Sequence, residues 1–437
     1  MQATTLSAIR FGNGLGPSGP QSAEPRHLIK IAQTAAKLPP RMLLSERTAL
    51  LAKTGEMRKG SDDDKKQARK KLRSTLNTDI KHLLALNVTD PGFGARLTQF
   101  WTDHFTVAAQ GRILPVLIPD LIETAIRPHI TGTFADMLKA VTQHPAMLIY
   151  LDQASSVGPQ SRAGRRQNRG LNENLAREIF ELHTLGVDGD YTQADVRSFA
   201  LLLTGLGVDR SGFKYRPNVS EPGPHRVLDQ DYGDNLYSIQ TALDDLATHP
   251  DTAQHIAAKL VQHFIGESDA SLNTRVADAF RLSNGDLTKT YLALLNDDRA
   301  WKGPLQKIKL PFDFITSALK AVGAGEAEIT TMNQSDFRNG LIGALALMGQ
   351  PLFQPPGPDG WKDTAEDWIT PPGLAARIRW STAFAERVED AGIDPRDFLN
   401  IALADAASPL LQRAVAGSES RAEGIALTLI SPEFNRR

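Results

Sequence analysis

Apolar side chains return every three or four residues along most of this chain, and no sustained strand-like alternation interrupts them. The pattern predicts short helices at 4–11 and 26–37. A helical run follows from Ser45 to about Leu86, interrupted by the charged stretch GSDDDKKQARKK at 60–71. That stretch reads as a solvated helix start or connection, since Asp62, Asp63 and Asp64 would lie where a helix dipole favours negative charge. Residues 91–107 predict an aromatic helix carrying Leu97, Phe100, Trp101, His104 and Phe105 on one arc. Helical patterns continue at 118–142, broken by Pro128, and at 144–153. They resume at 251–266, 272–283, 286–296, 305–323, 335–350, 373–390, 394–404 and 419–430. Residues 207–235 are polar and rich in Pro, Gly and Asp, an irregular segment suited to a small hairpin or a lid. The expectation is all-α: a large irregular orthogonal bundle of many helices, with long ordered loops and at most a minor β-hairpin. It would form one domain over 1–437, with an N-terminal subregion 1–90, a core 91–206, the loop 207–235 and a C-terminal subregion 236–437.

The organising stretch is 171–186, LNENLAREIFELHTLG. At about 100° per residue, Leu175, Ile179 and Leu182 share one side, and Glu173, Asn174, Arg177, Glu178 and Glu181 fill the opposite arc. Asn172 suits an N-cap and Gly186 a C′ position. Glu173, Arg177 and Glu181 follow at i, i+4 and i+8, so Arg177 can touch a carboxylate on either side. Two readings compete. The ladder is either a solvated surface feature or a buried polar face lining a cleft. The next segment, with Thr192 and Asp195 as a capping box, predicts a second helix and an αα-hairpin.

Charge and composition narrow the chemistry. Hydrophobic residues at 41% and charged residues at 23% describe a soluble globular protein, and a net charge of −1 argues against nucleic acid or an anionic membrane as the main partner. With no cysteine, thiolate metal sites, disulfides and cysteine nucleophiles are excluded. No membrane-length apolar run and no secretory leader is evident, so the default compartment is cytoplasmic. Glycine patterns for nucleotides and a G-x-S-x-G elbow are missing.

Histidines 104, 144 and 183 are the candidate metal ligands; each is otherwise a satisfied core histidine. With carboxylates they would suit a divalent metal such as zinc, iron or manganese. The loop 155–170 carries Arg162, Arg165, Arg166 and Arg169 into the N-terminus of the central helix, where they could hold a small anion.

Several stretches together resemble the family named domain of unknown function 1800. They are AIRFGNGLG at 8–16, FWTDHFTV at 100–107, HPAMLIYLD at 144–152, GLNENLAREIFELHTLGVDGDYTQADV at 170–196, LTGLG at 203–207, KLVQHFIG at 259–266, GQPLFQPPGPDGW at 349–361 and SPEF at 431–434. The family usually has Trp where this chain has Leu206, and many members carry an export signal. The resemblance implies a signature over Asn172, Glu173, Asn174, Arg177, Glu178, Glu181 and His183. It also implies a partner from the family named domain of unknown function 1501, which looks like the phosphatase and sulfatase group.

Two functions follow as expectations. The first is a binding or accessory scaffold built on a buried Glu/Arg/Asn helix face. The second is a hydrolase or metal-dependent enzyme acting on an anionic substrate. There Glu178 and Glu181 would serve as base or ligand and Arg177 would hold the substrate, with Asn172, Glu173, Asn174 and the loop arginines binding around it.

Overall fold

The computed structural model describes residues 1–19, 22–90, 92–166, 170–266, 269–389 and 392–437. Helices dominate, as the spacing predicts, and most boundaries fall within a few residues of those expected. The segment after the αα-hairpin holds two small antiparallel hairpins: Leu206–Asp209 pairs with Gly212–Tyr215, and His225–Val227 with Gln230–Tyr232. The second turns at Leu228 and Asp229, both with positive φ, the twist a two-residue hairpin needs. Neither is Gly or Asn, so the usual sequence signal for that turn is missing. No helix among the described residues is long and apolar enough to cross a membrane.

The apolar side chains gather into two main cores. The larger is centred on Trp101, Phe105, Phe134 and Phe180 and draws on residues from Phe11 to Ala300. The second is built by residues 314–434 together with Ile80, Leu84, Ala85 and Val88. Those four lie on the long helix Asp62–Thr89, which both cores share. The charged run does start this helix: Ser61 accepts from the Asp64 N–H, and Asp64 reaches back to the Ser61 N–H.

Where the chain near residue 12 meets the start of the aromatic helix Phe93–His104, two backbones touch. Gly92 sits at φ +132°, and a Cβ there would lie 2.7 Å from the Gly12 Cα. Only glycine permits that approach. It brings the Gly12 carbonyl to Arg96, whose Nη2 donates to it at 2.8 Å.

Inside the larger core lies a charge network. Arg47 is fully buried and meets Asp79 at 2.8 Å, Asp120 at 3.4 Å and Glu123 at 3.7 Å. Arg41 also pairs with Asp79, and Arg127 with Glu123 at 3.6 Å. Three cations thus answer three carboxylates. Burial alone would raise Glu123, but the hydrogen bond from His82 and the charge of Arg127 hold it below its ordinary value. Losing one member strands its partners in a dry interior. Asp79→Asn is therefore expected to cost about 3–5 kcal/mol, read from the urea midpoint. A loss within about 0.5 kcal/mol would show that the network does not hold the core.

Candidate functional site

The central helix begins where Asn172 accepts from the Asn174 N–H at 2.8 Å, while its amide donates to the Leu151 carbonyl. The α-helical turns Asn174–Glu178 run directly into a π-helical turn, Ile179–His183. Gly186, at φ +87°, closes the end by donating to the Phe180 carbonyl at 3.0 Å. Leu175, Ala176, Ile179 and Phe180 are buried, and Phe180 stacks on Phe199 of the partner helix Gln193–Leu202 with ring centroids 5.0 Å apart.

The polar arc is neither solvated nor buried. Arg177 lies 3.0 Å from Glu181 and 3.9 Å from Glu173, with side chains 40%, 28% and 27% exposed. Arg177 also donates to Gln193, whose amide donates to Glu173. The expected buried Glu/Arg/Asn face is thus a half-open ladder that ties the two helices of the hairpin, and Asn174 is exposed. The anion-loop arginines Arg162, Arg165 and Arg166 point into solvent, and Arg169 lies outside the described residues.

Two histidines cap this helix. A helix end leaves its last carbonyls unpaired. His104 Nε2 donates to the His183 carbonyl at 3.1 Å, and His255 Nε2 to the Leu182 carbonyl at 3.0 Å. The rings of His104 and His183 lie 6.1 Å apart, as do those of His104 and His255. Burial pushes His104 well below its ordinary value, His183 to about 3 and His255 to about 4, so all three are neutral near pH 7. His144 stands elsewhere. Its Nδ1 accepts from the Ala146 N–H, which leaves Nε2 to donate to Asp120 at 2.9 Å in the Arg47 network. The structure therefore brings together two of the three candidate ligands. Among the described residues no group of three His, Asp or Glu side chains is placed to hold a metal ion.

Near the histidines the charges of four elements bear on one another: Asp103 at the end of the aromatic helix, Glu178 on the central helix, Lys259 on the helix Pro250–Ile265, and Asp359 and Asp363 on the loop 357–363. Asp103 accepts from the Trp361 N–H at 2.9 Å. The loop lies so close that any side chain at Gly360, itself at φ +84°, would strike Asp103. Burial pushes the Asp103 carboxyl up to about 7, with Asp363 adding and the Trp361 N–H, Lys259 and Lys307 opposing. Glu178 is also pushed to about 7, by burial first and then by Glu181 and Asp359, against Arg177. Burial raises Tyr150, with Glu178 and Asp359 adding to it. Of the predicted catalytic residues, Glu178 feels the charge of that loop, through Asp359.

Asp103, Trp361 and Asp363 also line a mostly apolar cavity of about 190 Å³ between the two cores. Leu38, Leu83, Leu86, Ile122 and Phe353 line its length. Its polar end is formed by Asp103, His263, Asp313, Asp363, Arg96 and Arg437. Asp313 meets Arg96 at 2.7 Å and Arg437 at 3.4 Å.

Asp103, Lys259, His255, Asp359 and Asp363 were not singled out from sequence. Asp103 lies inside FWTDHFTV, where a carboxylate among three aromatic side chains and a histidine was the available signal.

A family model described as Protein of unknown function (DUF1800) matches residues 9–436. No curated protein matches the chain, and no solved structure does.

Two outcomes test this geometry. Arg177→Ala should lower stability by only about 0.5–1 kcal/mol, because the ladder is open to water. A loss of several kcal/mol on chemical denaturation would contradict that. Asp103 and Glu178 hold protons in the folded chain that the unfolded chain has already released, so between about pH 4 and 7 these two groups subtract stability as pH rises, against the buried neutral histidines, which add it. Asp103→Asn should therefore gain stability relative to the wild-type chain as pH rises from about 4 to 7, measured as the difference in urea midpoint against pH, and a difference that does not change with pH would remove the assignment.

Proposed function

We propose that this chain, which belongs to the DUF1800 family of proteins of unknown function, is a small-molecule-binding protein whose two cores grip a ligand at their seam. The observation that carries the reading is the cavity between the cores. It is mostly apolar, with a small number of polar and charged groups in its lining, the usual make-up of a ligand site. A dry cavity of roughly 150 Å³ takes benzene, so about 190 Å³ suits a molecule of one ring or a short alkyl chain. The polar end offers Asp103, which can donate or accept near neutral pH. Gln99, whose Oε1 meets no partner, offers an acceptor. The ion trio behind them is already paired and serves as a fixed wall.

A second reading is favoured by one feature. Asp103 and Glu178 both sit near half ionisation at pH 7, the state in which a carboxyl is an effective general acid or base. Hydrolysis of a substrate lodged between them would use one to deliver and the other to remove a proton.

The binding reading is tested with a panel of one-ring and short-chain compounds. At 100 times its dissociation constant, a ligand stabilises the folded state by about 2.7 kcal/mol, a visible rise in melting temperature. Leu86→Phe narrows the cavity and should abolish the rise. A panel with no hits, or hits that shift Leu86→Phe equally, would refute it.

A further inference from the structure

One stripe of the aromatic helix Phe93–His104 faces the seam cavity. Thr98, Gln99, Thr102 and Asp103 line it from that helix, and Thr106 from just beyond its end. The hydrogen bonds already made by this stripe use up its hydroxyl protons. Thr98 donates to the Gly94 carbonyl at 2.9 Å, Thr102 to the Thr98 carbonyl at 2.7 Å and Thr106 to the Asp103 carbonyl at 2.6 Å. A hydroxyl has one proton, so these three oxygens can only accept further bonds. Gln99 donates through its amide to the Asn87 side-chain oxygen at 2.8 Å, while its own Oε1 is buried and meets no partner. Three carboxylates also line the cavity, and two of them are answered. Asp313 meets Arg96 and Arg437, and Asp363 meets Lys307. The remaining lining cation, Arg127, is paired with Glu123 at 3.6 Å. Asp103 accepts from the Trp361 N–H but makes no ion pair among the described residues. A carboxylate beside an apolar wall without a counter-ion is costly, and a ligand that brings the cation would remove that cost.

We propose that the ligand of the seam cavity is a small primary amine, bound as its ammonium, with Asp103 as the counter-ion. An ammonium carries three N–H donors and no acceptor, the complement of a stripe that offers oxygens and few protons. Gln99, one helical turn before Asp103, and the threonine oxygens accept the N–H groups that Asp103 does not take. The one-ring or short alkyl body packs against the apolar lining, which includes Leu83, Leu86 and Phe353. An alcohol of the same shape brings one donor and no charge. A carboxylate brings acceptors to acceptors and like charge to Asp103. Burial holds the Asp103 carboxyl up at about 7, and a neighbouring ammonium favours its ionised form. This inference rests on the binding reading, to which it adds the head group of a molecule so far described only by its size.

The experiment titrates the full chain with benzylamine, benzyl alcohol and benzoate at pH 8 by calorimetry. Benzylamine is expected to bind roughly tenfold more tightly than benzyl alcohol, the gain of a charge-assisted bond over a neutral one, and benzoate not to bind. Asp103→Asn should remove the preference for the amine. Benzyl alcohol or benzoate binding as tightly as benzylamine to the wild-type chain would overturn the amine while leaving the cavity a ligand site, and needs no variant to fold. No binding of any of the three would overturn both. Benzylamine binding that Leu86→Phe does not weaken would place the amine outside the cavity and overturn the proposal. A preference that survives in a folded Asp103→Asn protein would overturn the role given to Asp103.

Discussion

Asp313 has to answer more than one positive charge in a place that water does not reach. Arg96 comes to it from the larger core and Arg437 from the second, with Lys309 and Arg377 close by. Burial would raise a lone carboxyl, yet the charges of Arg96 and Arg437 hold it ionised. The surplus of cations is eased on the other side: burial pushes Lys309 down to about 7 and Arg437 to about 9. Arg96 is further fixed by the Gly12 carbonyl, which only the two-glycine crossing allows so near. The seam between the cores is thus polar by construction. Two apolar masses meet along a line of satisfied ions, and the space they fail to fill is the cavity.

The surroundings of Asp103 depend on the same seam. Asp103 sits on a helix whose Phe100 and Trp101 belong to the larger core, while Trp361 and Asp363 arrive on a loop leading into the second. Lys307 pairs with Asp363 and so secures one end of that loop. Trp368 secures the other, buried and donating to the Lys362 carbonyl at 2.8 Å. The titration of Asp103 is therefore a tertiary property, set by burial under a loop some 250 residues away.

What the sequence made legible follows from this. Periodicity and caps are local, so the helices, the Thr192 box and Gly186 could all be read in order. The buried aromatic arc of residues 97–105 was equally plain. Solvent exposure of the Glu173–Arg177–Glu181 ladder could not be read, because it depends on what Gln193 and Arg197 of the next helix place beside it. The histidines were found, but not their work. Whether an inward imidazole binds metal or caps a carbonyl is decided by which backbone ends nearby.

The shared helix Asp62–Thr89 has a consequence in time. Its C-terminal half, with Ile80, Leu84 and Val88, packs against residues that begin at Phe314, roughly two hundred positions later. A ribosome adding about 5–20 residues per second would take on the order of ten to fifty seconds to deliver them. During that interval the apolar stripe is made but uncovered, so a nascent chain must shelter it, through a chaperone or a provisional contact, until residues 314–434 emerge.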